Sequence, residues 1–246
     1  MNLFEAALNP VPLDDLYEHY TQQKCLVVEG YKEKFSGLVS LDDIERRLND
    51  GCNASNFPQI IKGGERQTFI NNQTPWAEAC LDKARINHAL KEGNSLMLSN
   101  CSQISPGIAQ FCDALEAHFE KDSIHADAHL YISTNEQGSS YFAHRDRPQH
   151  KILLQAIGEA NWQLFEPIKK IDENVVAIPE NEQDSYLKVV SEFTLKQGDL
   201  LYMPVGVFHR VQSVPGPRVS ISIPFYSMPQ GSKMDRSNIP FKQLFI

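Results

Sequence analysis

Basic charge is scarce in this chain of 246 residues: 23 Lys and Arg stand against 31 Asp and Glu, a formal net charge of -8. The densest basic groups, KEKF (32–35) and RPQHK (147–151), are too short to form the stripe that a phosphate backbone requires. A nucleic-acid partner is therefore not expected. Long apolar runs are also missing, so no membrane-spanning helix and no membrane association are expected. The N-terminus, MNLFEAALNPVPLDDLYEHY, lacks the basic start and apolar stretch of a signal peptide. Cysteine is sparse as well. The five residues, at positions 25, 52, 80, 101 and 112, are widely spaced, odd in number and without a CxxC pair. That pattern disfavours a disulfide framework or a Cys-based zinc site, and it fits reduced thiols in a cytoplasmic protein. No internal repeat or low-complexity tract is present.

What the chain does contain changes character near residue 125. The first part predicts helices over Pro12–Gln23, where Leu13, Leu16, Tyr17 and Tyr20 recur at helical spacing, and from Ser40, an N-cap followed by two acids. Two more helices are expected over Lys83–Glu92 and Pro106–Phe119, with short strands at Cys25–Gly30 and Ser95–Asn100. From Ala126 onward, period-two alternation takes over. HLYIST, YFAHRD, KILLQAI, NWQLFE, KVVSEFTL, DLLYMP, HRVQSV and RVSISIPF make a succession of short strands separated by turn residues. Many short strands at this spacing indicate a sandwich or barrel, and closing them gives a double-stranded β-helix, the jelly-roll of the cupins. The expected fold is thus mainly β with an N-terminal α-helical region. Residues 1–125 form the helical region with a few strands packing on the barrel, 126–228 the jelly-roll core, and 229–246 a C-terminal tail, all in one integrated domain. Asp172–Tyr186 reads as a polar surface insertion.

Two stretches carry the chemistry: Gly138-x5-His144-x-Asp146 and Gly198-x5-Pro204-x-Gly206-x2-His209. On a strand, residues i and i+2 share a side, so His144 and Asp146 project together while Arg145 faces away. Gly198-Asp199 and Pro204-x-Gly206 supply turns that deliver His209 to the barrel mouth. Two imidazoles and one carboxylate on one face of a metal, with other positions open, are the ligand set of non-haem Fe(II) oxygenases. His150 reads as a polar strand residue, Trp162 as barrel packing, and His19, His88, His118 and His125 show no ligand spacing among themselves.

These residues also point to a family. Tyr141-Phe-Ala-His144-Arg-Asp146, Gln155-Ala-Ile-Gly158 and Trp162-Gln-Leu-Phe165 resemble the core of the JmjC/cupin-like 2-oxoglutarate oxygenases. QGDLLYMPVGVFHRV and VSISIPF look like that family's last three strands. LYEHYTQQKCLVVEGY is similar to the opening of its ribosomal-oxygenase branch, whose C-terminal domains are not expected in this sequence. The resemblance implies an Fe(II)- and 2-oxoglutarate-dependent hydroxylase that uses O2, releases succinate and CO2, and modifies an amino-acid side chain in a protein or peptide. It implies His144, Asp146 and His209 as the metal ligands, and a homodimer is possible. A free amino acid or small metabolite as substrate, or a non-catalytic metal-binding cupin, are the alternatives.

One departure from the pattern matters. The family places a Lys or Arg two residues after the glycine matching Gly158, to hold the far carboxylate of 2-oxoglutarate, and this sequence has Ala160 followed by Asn161. A dicarboxylate buried without a cation is costly, so another base must serve. Arg218-x-Ser220 resembles the Arg-x-Ser anchor of other jelly-roll oxygenases, and Arg218, Ser220 and Ser222 alternate on one strand face. Lys151 is the second candidate anchor. Tyr141, three residues before His144, matches a position where the family often places a hydroxyl near the co-substrate.

Overall fold

The structure is a computed structural model that describes residues 2–49, 57–71, 80–119, 123–134, 141–213 and 216–228. Gly138, Cys52 and the expected tail 229–246 lie outside the described residues.

Short polar caps start several of the N-terminal helices. Asn2 and Glu5 form a capping box on α1 (Leu3–Leu8). After α2 (Leu13–Gln22) and β1 (Leu26–Val28), Ser40 Oγ accepts the Asp43 amide to cap α3 (Leu41–Asn49). Next come β2 (Gln59–Lys62), β3 (Glu65–Thr68), β4 (Ile70–Asn71), β5 (Cys80–Leu81), α4 (Lys83–Lys91) and β6 (Ser95–Leu98). Ser105 caps α5 (Pro106–His118), with Pro106 at the first helical position where no amide donor is needed. The remaining elements are β7 (Ile124–Ala126), β8 (His129–Ser133), β9 (His150–Ile157), β10 (Ala160–Pro167), α6 (Gln183–Tyr186), β11 (Leu187–Leu195), β12 (Leu200–Met203), β13 (Phe208–Ser213) and β14 (Arg218–Ser227). Among the described residues, no helix is long and apolar enough to cross a membrane.

All strand pairings are antiparallel. The large sheet runs β1-β12-β9-β14-β8-β6-β2-β3, with β7 also paired to β14, and the small sheet runs β11-β10-β13. The two sheets make the jelly-roll. Strands β1, β2, β3 and β6 from the first part of the chain extend the large sheet, β1 along β12 and β6 along β8.

Alternation along β14 shows how the sheet is sided. Val219, Ile221, Ile223 and Phe225 join Ile152, Leu154 and Tyr202 in a core that also takes Phe4, Phe111 and Leu115 from the helices. Each such side chain removed from water contributes about 1.5–3 kcal/mol. The opposite face of β14 carries Arg218, Ser220 and Ser222, which are buried between the two sheets. There Leu153, Leu201 and Met203 of the large sheet meet Trp162, Leu164 and Leu195 of the small one.

Two segments depart from the sequence reading. YFAHRD is not a continuous strand; it joins the sheet only through isolated bridges of His144 with His209 and with Ala177. Asp172–Tyr186 is not merely a surface insertion. The Arg145 amide donates to Val176 O (2.8 Å) and the Ile178 amide to Ala143 O (2.8 Å), and Ile178 is buried. This loop thus flanks the segment that carries His144, giving it the backbone partners it lacks elsewhere.

Candidate metal centre

The two histidines face each other through the backbone. His144 N donates to His209 O (3.0 Å) and His209 N to His144 O (2.8 Å), the reciprocal exchange of an antiparallel hydrogen-bonded pair. Side chains of such a pair rise from the same face, and the two rings lie 4.3 Å apart. Two residues along, Gly206 N donates to Asp146 O (2.9 Å). Gly206 has φ +80, so the turn that fixes this register favours glycine. The Pro204-x-Gly206-x2-His209 spacing therefore sets both the position of His209 and its alignment with the His144-x-Asp146 segment.

Each imidazole is oriented by its own chain. Nδ1 of His144 lies 2.8 Å from Phe142 O, and Nδ1 of His209 lies 3.0 Å from Val207 O. A carbonyl can only accept, so the ring protons belong on Nδ1 and the Nε2 lone pairs are left for a metal. His209 Nε2 is 3.5 Å from Asp146 Oδ2. The ligand atoms of His144, Asp146 and His209 all lie within 4.8 Å of one another. Burial lowers the pKa of both imidazoles, that of His209 to about 3, which keeps them neutral at physiological pH. For Asp146, burial acts to raise the pKa, but Lys151, His209 and His144 outweigh it and hold the carboxyl at about 2. Two neutral imidazoles and one carboxylate fit a divalent cation.

Behind these residues lies a cavity between the sheets, lined by Tyr131, Tyr141, Lys151, Trp162, Arg218 and Ser222 among others. Three of its polar groups are buried without a hydrogen-bond partner: Arg218 Nε, Trp162 Nε1 and Ser222 Oγ. Buried donors without acceptors are costly, and their convergence on one cavity marks a place built for an acceptor-rich ligand. Burial lowers Arg218 to about 10, against the opposing influence of Tyr131, so it is a cation at neutral pH. Ser220 also lines the cavity but donates to Gln155 Oε1 (2.8 Å). Lys151 lines it too, with Nζ 2.6 Å from Asp146 Oδ2. The Tyr141 hydroxyl donates to Met97 Sδ (3.1 Å), and its ring packs edge-on against His144. Ala160 is buried in the apolar cluster with Trp162 and Leu195, and it brings no cation.

Other residues sort by face. His150 joins Tyr202 and Phe225 in an aromatic group away from the ligands, with Nδ1 3.0 Å from the Tyr202 hydroxyl. Trp162 does pack in the barrel, stacked on His209, but its indole N–H also borders the cavity. Sequence reasoning missed Tyr131, which lines the cavity opposite Ser220. The alternation in HLYIST was visible, but its register with β14 was not.

Residues 97–233 match the profile of the JmjC domain. The chain belongs to the JmjC domain family. Among curated proteins, the JmjC protein described here is 29% identical over 218 residues to the bifunctional lysine-specific demethylase and histidyl-hydroxylase NO66 of Drosophila grimshawi. It is 24% identical over 213 residues to the protein of that name from Dictyostelium discoideum. These alignments take in 83% and 84% of this chain but only 28% and 39% of the relatives. Among solved structures, the ribosomal oxygenase YcfD of Escherichia coli superposes with a TM-score of 0.58 at 15% identity, over 89% of this chain and 53% of that one. YcfD in complex with cobalt and 2-oxoglutarate gives a TM-score of 0.57, over 94% and 60%. The fold of this JmjC chain is thus shared with YcfD, and it spans little more than half of that protein.

Proposed function

We propose that this protein is an Fe(II)- and 2-oxoglutarate-dependent dioxygenase that hydroxylates an amino-acid side chain within a protein or peptide. The balance is one C–H substrate, one 2-oxoglutarate and one O2 in, and one alcohol, one succinate and one CO2 out. The observation that carries this reading is the cavity with unsatisfied buried donors directly behind His144, Asp146 and His209. A metal site of purely structural use has no need of an Arg218 guanidinium buried in an adjoining cavity.

Iron held by these three ligands would supply the activation of O2, which no side chain can perform. The rest falls to the chain. Arg218 would bind the far carboxylate of 2-oxoglutarate, with Ser222 Oγ and Trp162 Nε1 as further donors and Ser220 beside them. Ile61, Leu153 and Val211 on the cavity wall exclude water from the reacting centre. Tyr141 lines both this cavity and an outer cleft, where a substrate side chain would reach the ligand set. A protein substrate is supported by the names of the relatives, a demethylase and histidyl-hydroxylase and a ribosomal oxygenase. A cytoplasmic setting accords with Cys25, Cys101 and Cys112, none of which is in a disulfide.

Succinate formation from 2-oxoglutarate by Fe(II)-reconstituted protein tests the reading. Turnover that disappears in Asp146→Ala supports it. A wild type that neither binds 2-oxoglutarate nor forms succinate is a metal-binding cupin instead.

A further inference from the structure

Outside the ligand set lies a second, more open cleft of about 390 Å³ that shares Tyr141 and His144 with the inner cavity. Its charge is opposite to that of the molecule. The chain carries a net charge of -8, yet three arginines, Arg66, Arg145 and Arg147, line this cleft. Asp146 is the sole carboxylate among the described residues that line it, and Lys151 already accompanies it.

The three guanidiniums differ in what they can do. Arg145 is buried beside the Phe208 ring and spends its donors on Val175 O (3.0 Å) and Asp172 O (2.6 Å), so it contributes fixed charge. Arg66 is exposed on β3, with its guanidinium 5.0 Å from the centre of the Tyr141 ring. The β2–β3 hairpin is held there by close packing, since a Cβ on Gly64 would fall 2.6 Å from the Phe142 ring. Arg147 packs against Gly206 in the turn before His209, and its Nη1 lies 3.6 Å from Glu173. Glu173 is 85% exposed, so that ion pair is weak and gives way to a better-placed carboxylate. Two accessible cations from different elements thus border the entrance to the metal centre, with a third charge fixed beneath them. A cleft of one sign attracts the opposite sign and repels its own.

We infer that the substrate is an acidic polypeptide segment, with Asp or Glu flanking the residue to be modified and gripped by Arg66 and Arg147. The cleft is open to solvent, whereas small-molecule pockets enclose most of their ligand. This inference rests on the proposed hydroxylase for what happens to the segment, though not for its binding.

The test uses the full chain loaded with Fe(II) and 2-oxoglutarate without oxygen, and three short labelled peptides of equal length, Glu-rich, Gln-rich and Lys-rich. Fluorescence anisotropy is expected to show the Glu-rich peptide binding about tenfold more tightly than the Gln-rich one, with affinity falling as salt is raised. Arg66→Gln and Arg147→Gln are each expected to weaken it about tenfold, the worth of one charge-assisted hydrogen bond. The salt series on the wild type needs no variant, so a misfolded substitution does not remove the test. Equal or tighter binding of the Gln-rich or Lys-rich peptide, or affinity indifferent to salt, overturns the inference. Free glutamate competing as well as the Glu-rich peptide overturns its polypeptide part. Succinate formation by the wild type without peptide reports the oxygenase reading separately.

Discussion

Lys151 Nζ lies 2.6 Å from Asp146 Oδ2, with side-chain exposures of only 8% and 22%. The pair links the strand after the ligand turn to the ligand carboxylate itself. A divalent cation at Asp146 would meet a positive neighbour, so Lys151 opposes metal binding while it stabilises the metal-free site. Lys151→Met is therefore expected to destabilise the metal-free protein by about 2 kcal/mol, or about 4–8 °C in melting temperature. The same substitution is expected to tighten metal binding. Thermal unfolding with and without Co(II), together with chelator competition, measures both. Weaker metal binding in Lys151→Met would mean that the lysine supports the metal site.

Arg218 illustrates function set against stability. Its Nε is buried without a partner, and burial already lowers its pKa to about 10. Replacing an uncompensated buried charge with an apolar side chain of similar volume stabilises a fold by about 1–2 kcal/mol, so Arg218→Met should melt about 3–6 °C higher without ligand. The half-saturating 2-oxoglutarate concentration should rise about a hundredfold, the equivalent of about 3 kcal/mol. An unchanged half-saturation would place the carboxylate anchor elsewhere.

Acid should weaken the metal-free protein in a defined window. Burial lowers His129 to about 4 and His209 to about 3, whereas in the unfolded chain both titrate near pH 6.5. Between pH 6.5 and about 4 the unfolded chain binds more protons, so stability that is fully present above 6.5 is lost as pH falls. The loss is about 2 kcal/mol per imidazole by pH 5. Urea midpoints near neutral pH and at about pH 5 measure it, and His129→Gln should flatten the slope. A midpoint independent of pH would show that these rings are already solvated.

The turn before β12 is locked to the N-terminal segment. Asp199 accepts the Gly30 amide (2.9 Å) and the Lys196 amide (2.8 Å), while a Cβ on Gly198 would fall 2.0 Å from Tyr31 O. With φ at +99 as well, Gly198→Ala is expected to cost about 3 kcal/mol or more, read as a lower denaturation midpoint. A midpoint within error of the wild type would show that the two segments separate without cost.

Some of this was readable in the chain. Seven of the eight strand candidates after Ala126 are strands, because period-two alternation between turn residues is a local signal. His144, Asp146 and His209 stood out for the same reason, since their turns and spacings lie within short windows. YFAHRD misled because its alternation is genuine but its hydrogen-bond partners are the 172–178 loop, Gly206 in a turn and a single residue of β13. The four strands that the first part of the chain adds to the large sheet gave only partial signals: β1 and β6 were expected, while β2 and β3 were not.

The sequence by itself determined the sidedness of the strands, the positions of the turns and the identity of three candidate ligand residues. Each depends on neighbours a few positions away. Tertiary structure alone decided that Lys151 meets Asp146, that Arg218 and Ser222 share a cavity with Trp162, and that Arg66 and Arg147 border one cleft. Those meetings depend on the register between strands distant in the chain, where a slip of one residue would turn every side chain to the opposite face.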